Sequence, residues 1–173
     1  RNKSDRWSGW AGAHEFFGQR LDAEAIARRA CEKAAHDMEP VDLEPRNSTV
    51  ILEPGAVAEL AFWVMSAMDA RAADEGRSFY ARPGGGTMIG EKLFDEKLTI
   101  RLDPADPLAP EASVGWEGVP HRARRFIDKG VVNALYRSRS WAQKTGAEPI
   151  PCGRNFIVEG GDASLDDMIR SVK

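Results

Sequence analysis

Cys152 is the residue whose type best fits nucleophilic chemistry in this chain. It lies in the sequence Pro-Cys-Gly-Arg at residues 151–154, where proline and glycine predict an irregular turn and Arg154 can lower the thiol pKa. A cysteine nucleophile also needs a base, and no histidine is nearby in sequence, although folding can supply one. Peptide hydrolysis by Cys152 is therefore kept as an alternative, and a structural cysteine is preferred.

The three histidines do not form a recognisable metal motif. His14 precedes Glu15, as in the helix of many zinc proteases, but the second ligand position holds Gly18 or Gln19. His36 and His121 stand alone among polar neighbours, which predicts surface positions for both. From its residues alone, the chain offers no metal site and no cofactor site.

A run of arginines is the other charged feature. Arg122, Arg124 and Arg125 fall on a predicted strand, where they could meet an acidic partner. A solvated strand face with alternate residues turned inward is the simpler interpretation.

Composition limits the classes of partner. The 173 residues are 42% apolar and 29% charged, with a net charge of −3, as in ordinary soluble proteins. This charge predicts neither nucleic acid nor an anionic membrane as a partner. The longest apolar run, near residues 60–65, is too short to span a bilayer, and residues 1–20 lack a signal-peptide pattern. We expect a cytoplasmic protein in which Cys31 and Cys152 stay reduced.

Periodic segments must position these residues. Helical spacing after Asp22 predicts an amphipathic helix to about Ala35, and a second apolar helix is predicted from Pro54 to near Gly76, packed on several sides. Short helices are predicted over residues 138–145 and 163–172. Strands are predicted over residues 48–52, 97–102 and 155–158, and a hairpin over 121–127 and 131–136, with its turn at 128–130.

The pattern predicts an α+β fold. Its mixed or antiparallel sheet contains a β-hairpin and is packed by two main amphipathic helices plus short C-terminal helices. Residues 1–46 are interpreted as an aromatic segment with a helix, and residues 47–173 as the α+β core.

Several short motifs occur in an order that resembles one known family. They are Gly-Arg-Ser-Phe at residues 76–79, Gly-Glu-Lys-Leu at 90–93, Glu-Gly-Val-Pro at 117–120 and the hairpin sequence at 127–132, all after an apolar helix. In this order they resemble the TldD/PmbA family, often labelled "modulator of DNA gyrase", whose members process peptides. Its members are longer at both ends, which implies that this chain is a fragment.

One departure from the family pattern carries the functional prediction. TldD-type members have His-Glu-x-x-x-His on the helix, whereas this chain has Ala61, Phe62 and Ser66 at those positions. Two apolar side chains and a hydroxyl are a poor zinc ligand set. The chain therefore resembles the metal-free PmbA/TldE branch.

The resemblance also implies partners and contact residues. It implies a non-catalytic subunit or domain of a TldD-type metalloprotease complex that processes unfolded peptides, as a hetero- or homo-oligomer. The residues carried over as possible peptide or partner contacts are Phe79, Tyr80, Arg82, Arg154 and Asn155.

Overall fold

Among the described residues, five α-helices and four strands follow one another after a short 3-10 helix at Gly18–Arg20. In this computed structural model, which describes residues 8–35, 42 and 44–172, the helices are α1 (Ala23–Ala35), α2 (Pro54–Ser66), α3 (Ala70–Asp74), α4 (Arg139–Thr145) and α5 (Leu165–Ser171). The strands are β1 (Ile100–Leu102), β2 (Arg124–Asp128), β3 (Val131–Val132) and β4 (Phe156–Val158). The chain divides into two compact units. The first consists of Arg1–Gly55 and Ala163–Lys173, and the second of Ala56–Asp162. The predicted boundary at residues 46/47 stays a prediction.

The first unit contains two capped helices. The Asp22 carboxylate accepts a hydrogen bond from the Ala25 N–H at 2.8 Å, which begins α1 where the sequence predicts it. Ser164 and Asp167 form a capping box at the start of α5. Both helices therefore begin at residues whose side chains satisfy free backbone N–H groups.

The second unit is built on one antiparallel sheet of order β3-β2-β1-β4. This confirms the predicted α+β class with its antiparallel sheet. Its core is formed by large, fully buried side chains, which are Met65, Met68, Tyr80, Ile100, Phe126, Ile127, Val132 and Leu135.

The hairpin between β2 and β3 is confirmed, but its strands are shorter than the predicted 121–127 and 131–136, and its turn has a specific geometry. Lys129 and Gly130 both have positive φ angles, of 47° and 80°, as a two-residue type I′ turn requires. The Thr99 hydroxyl accepts from the Lys129 N–H at 3.1 Å. A side chain at position 130 would collide with the Phe94 carbonyl. Glycine is therefore needed here both for its φ angle and for space.

The strand predicted over residues 48–52 is wrong. These residues form no strand, and Val50, Ile51 and Leu52 are exposed, with Val50 keeping 69% of its accessible surface. β-prone residues form a strand only when a neighbouring strand pairs with their backbone. Among the described residues, none pairs with this segment.

The second helix is shorter and less enclosed than predicted. α2 ends at Ser66, and α3 begins after Asp69, whose carboxylate accepts from the Ala72 N–H at 2.6 Å. Within α2, Ala61 and Met65 are buried, whereas Leu60, Phe62 and Trp63 are exposed. The prediction of packing on several sides is therefore wrong for this chain. No helix in the described ranges is long and apolar enough to cross a membrane.

Candidate functional site

A groove of about 210 Å³ lies along one face of β2 and the segment before it. Arg122, Arg124 and Phe126 alternate along the chain and therefore project to this same face. The facing wall includes Glu148 and Ile150. The groove thus combines a charged rim with an apolar wall.

His121 is part of the groove wall and is buried, with 9% of its surface accessible. Its Nδ1 lies 2.6 Å from the Ala112 carbonyl oxygen, and its backbone N–H donates to the Ser113 oxygen at 2.9 Å. Its Nε2 is buried without a hydrogen-bond partner among the described residues. The predicted surface position of His121 is therefore wrong. The residues next to His121 in sequence do not predict that the segment containing Ala112 and Ser113 packs against it. His36 lies outside the described residues.

The turn at residues 117–120 is fastened to the start of α4. The Glu117 carboxylate accepts from the Arg139 N–H at 3.0 Å, and the Arg139 guanidinium donates to the Glu117 carbonyl oxygen at 3.0 Å. Ser138 caps the same helix. A carboxylate at a helix N-terminus is favoured by free N–H groups and by the helix dipole. This anchor positions Val119 and Pro120 in the groove wall.

The arginine run is divided between the two faces of the sheet. Arg125 lies 3.3 Å from Asp128 and 3.5 Å from Glu159, on the face opposite the groove. On the groove side, Arg124 makes a long contact of 3.9 Å with Glu148. Arg122 makes no ion pair within the described part of the chain. The predicted alternation is confirmed, but the inward residues line a groove.

Cys152 lacks the properties of an activated thiol. Although the residue keeps solvent-exposed atoms, burial raises the pKa of its thiol, and the Glu111 carboxylate raises it further. Arg154 lowers this pKa, as predicted, but does not outweigh the other two causes. A thiol with a raised pKa holds little thiolate near neutral pH. The raised thiol pKa therefore does not favour peptide hydrolysis by Cys152.

The three positions of the family's metal motif do not fit a metal ion. Ala61 is buried in the core, and Phe62 packs edge-on against Trp63 with ring centroids 5.7 Å apart. The Ser66 hydroxyl donates to the Trp63 carbonyl oxygen at 2.9 Å. Neither apolar side chain carries a donor atom. Within the described ranges, no three His, Cys, Asp or Glu side chains lie close enough to hold a metal ion.

The structure separates the residues carried over as contacts near α2. Phe79 is 64% exposed, and Arg82 is exposed enough to pair with Glu91 at 2.7 Å. Tyr80 is fully buried, and its hydroxyl donates to the Val64 carbonyl oxygen at 3.1 Å. Burial raises the pKa of Tyr80 to about 12. As folded here, Tyr80 offers no surface to a peptide, and we leave it out of the proposed contacts.

Arg154 and Asn155 serve the loop that precedes β4. The Arg154 N–H donates to the Glu111 carboxylate, and its side chain stays exposed. Asn155 is buried, and its amide donates to the Asp103 and Ala109 carbonyl oxygens, both at 2.6 Å. Asn155 therefore ties two turns of the connector to the sheet. Its predicted contact role stays a prediction.

Residues 45–173 match the family model of the PmbA/TldA metallopeptidase C-terminal domain. The chain belongs to this family. A curated relative of this PmbA/TldA domain is a protein named "Metalloprotease" from Methanothermobacter thermautotrophicus, 25% identical over 178 residues. That match covers 95% of this chain and 38% of the relative, so the chain spans well under half of the relative's length.

Solved structures resemble the PmbA/TldA domain along most of its length. TldE from Thermococcus kodakarensis has a TM-score of 0.76 and 25% identity, covering 88% of this chain and 37% of that protein. A "putative modulator of DNA gyrase" from Bacteroides thetaiotaomicron has a TM-score of 0.78, covering 92% of this chain and 36% of that one. At 23% identity, the second likeness concerns the fold alone.

Sequence reasoning missed the groove, although one signal pointed to it. His121 directly follows the Glu-Gly-Val-Pro sequence at residues 117–120, which carries part of the family resemblance. The wall residues Glu148 and Ile150 carry no such signal, because only folding brings them opposite β2.

Proposed function

We propose that this chain is a metal-free, non-catalytic subunit or domain that pairs with a TldD-type metallopeptidase in the cytoplasm and helps to enclose an unfolded peptide. The observation that carries the proposal is the ligand-poor set on α2, which is Ala61, Phe62 and Ser66. Metal-assisted peptide hydrolysis needs a metal ion with an open coordination position and an activated water. These three side chains supply neither.

The outer face of α2 supports a pairing role. Leu60, Phe62 and Trp63 are 55%, 57% and 65% exposed. Large apolar side chains grouped on one exposed face are typical of surfaces that another protein part covers. In this proposal the metallopeptidase subunit covers them.

The edges of the sheet support a role in holding extended peptide. The β3 edge is occupied, because the Val132 N–H donates to Glu91 at 3.0 Å and its carbonyl accepts from Gly90 at 2.7 Å. β4 forms the other edge, and no further strand pairs with it in the described part of the chain. An extended peptide can add to such an edge through backbone hydrogen bonds, without sequence preference.

Co-purification tests the proposal. The tagged chain is co-expressed with a TldD-type metallopeptidase, and we expect stoichiometric recovery, transition metal in the metallopeptidase alone, and peptide cleavage only when both are present. Trp63→Asp should reduce recovery. Leu108→Asp, which changes another exposed apolar side chain (69% exposed), is the matched control.

Two results would overturn the proposal. One is failure to recover the metallopeptidase at any salt concentration. The other is chelator-resistant peptide cleavage by the purified chain that Cys152→Ala abolishes, which would favour the cysteine hydrolase.

A further inference from the structure

The groove beside β2 has an excess of positive charge that the fold does not neutralise. Arg122 has no ion pair among the described residues, and Arg124 has only the 3.9 Å contact with Glu148. The Glu148 side chain is 63% exposed, so water screens this contact strongly. Two guanidinium groups facing one carboxylate leave about one positive charge, which a single carboxylate from a ligand would balance.

The rest of the groove favours an apolar group beside that carboxylate. Its walls include Leu102, Phe126 and Ile150, together with three prolines, at positions 120, 149 and 151. The volume of about 210 Å³ is smaller than the pockets that hold drug-sized ligands, which start near 300 Å³. The space therefore suits one residue of a chain better than a whole cofactor.

The sheet holds Arg124 in place, and Arg122 lies in the segment just before it. Arg124 begins β2, where it pairs with Leu102 of β1, and Phe126 on the same face is buried. Guanidinium groups bind carboxylates through paired, charge-assisted hydrogen bonds when their position is fixed. A free α-carboxylate next to an apolar side chain matches this arrangement of charge and apolar surface.

We propose that this groove binds the free C-terminal carboxylate of a peptide whose last residue is apolar, with Arg122 and Arg124 holding the carboxylate. The inference rests on the proposed function only in taking a peptide as the ligand. The proposal also fixes the orientation of the peptide, because the C-terminal end of the peptide is bound in the groove beside β2.

Binding of matched peptides tests the assignment. Fluorescence anisotropy is measured for a labelled peptide ending in leucine, either with a free carboxylate or with a C-terminal amide. We expect the amide to bind about tenfold more weakly, since it loses a charge-assisted contact. Equal binding of the two peptides would overturn the proposal.

Variants on the two faces of β2 distinguish binding in the groove from a nonspecific attraction by positive charge. Arg124→Gln should remove the preference for the free carboxylate, whereas Arg125→Gln, on the opposite face, should keep it. Glu148→Gln should strengthen carboxylate binding, because it removes the competing negative charge. Equal losses in Arg124→Gln and Arg125→Gln, with unchanged thermal unfolding of both, would contradict the assignment.

A third peptide identifies the source of the carboxylate. It carries an internal glutamate and an amidated end, and we expect it to bind as weakly as the plain amide. Binding as tight as that of the free terminus would overturn the C-terminal assignment. The measurement needs no metallopeptidase, so its failure is distinct from failure to recover the proposed partner.

Discussion

Asn155 shows how one buried polar side chain can hold a long connector in place. The segment between β1 and β2 contains four prolines, at positions 104, 107, 110 and 120, none of which has a backbone N–H to donate. The Asn155 amide ties two points of this segment together by donating to the Asp103 and Ala109 carbonyl oxygens. Removing a buried donor leaves its acceptors unsatisfied, which costs more than the bond itself contributes.

Replacing Asn155 should therefore lower stability. We expect Asn155→Ala to reduce the free energy of unfolding by about 1–3 kcal/mol, measured by urea denaturation. Asn133→Ala, at an exposed asparagine, is the matched control and should change it by less than about 0.5 kcal/mol. Similar effects of the two substitutions would contradict the bridging role.

The reactivity of Cys152 distinguishes an inert thiol from a nucleophile. Because burial raises its pKa, the midpoint of the rise in alkylation rate with pH, in a Cys31→Ser background, should lie above the ordinary thiol pKa. Iodoacetamide labelling followed by mass spectrometry measures this rate. A midpoint near neutral pH would instead identify an activated thiol.

At the scale of elements, the hairpin turn is the feature that local sequence specifies most fully. Gly130 and Gly146 both have left-handed backbones, with φ of 80° and 66°. Only Gly130 is crowded, since a side chain there would meet the Phe94 and Asp95 carbonyls, whereas the space around Gly146 is open. The two positions therefore separate backbone strain from steric clash.

Alanine substitution at these two glycines should have unequal effects. Gly146→Ala should destabilise by about 1–2 kcal/mol, the cost of a left-handed alanine. Gly130→Ala should cost at least about 1 kcal/mol more, because the new methyl group also overpacks its surroundings. Thermal unfolding of both variants measures the difference, and equal losses would contradict the clash.

Helices that begin at a capping residue were predictable, and elements that need distant partners were not. Asp22, Ser138 and Ser164 each cap a helix that periodicity had predicted. The β-prone residues at 48–52 remained unpaired, and the apolar run after Pro54 broke at Asp69. Periodicity shows which side chains of a segment are apolar. Whether a strand finds a partner, and where a helix ends, depends on contacts with other segments of the fold.

At the scale of the whole molecule, both tyrosines of the chain make stability sensitive to high pH. Burial raises the pKa of Tyr80 to about 12 and raises the pKa of Tyr136 well above its ordinary value, with the nearby Cys152 thiol a smaller cause. Neither phenolate is therefore favoured in the folded state.

Stability should fall as pH rises above the ordinary tyrosine value of 10.0. Above that value the unfolded chain loses phenolic protons first, so unfolding is favoured progressively up to the folded pKa values. Absorbance titration near pH 10 should show almost no phenolate in the folded protein, whereas in urea about half of each tyrosine should be ionised. Ionisation of one tyrosine near pH 10 under native conditions would contradict its burial.

The sequence by itself determined the family, the fold class and most helix and hairpin positions. These features depend on local patterns, namely caps, apolar periodicity, a turn glycine and the order of short motifs. The ligand-poor character of Ala61, Phe62 and Ser66 is likewise a matter of side-chain chemistry alone.

Only the tertiary structure decided which side chains share a space. It buried Tyr80 and His121, left the outer face of α2 exposed, and brought Glu148 and Ile150 opposite Arg124 to form the groove. The physical reason is that burial and opposing charges are set by contacts between segments far apart in the chain. The local sequence pattern does not predict which of these long-range contacts form.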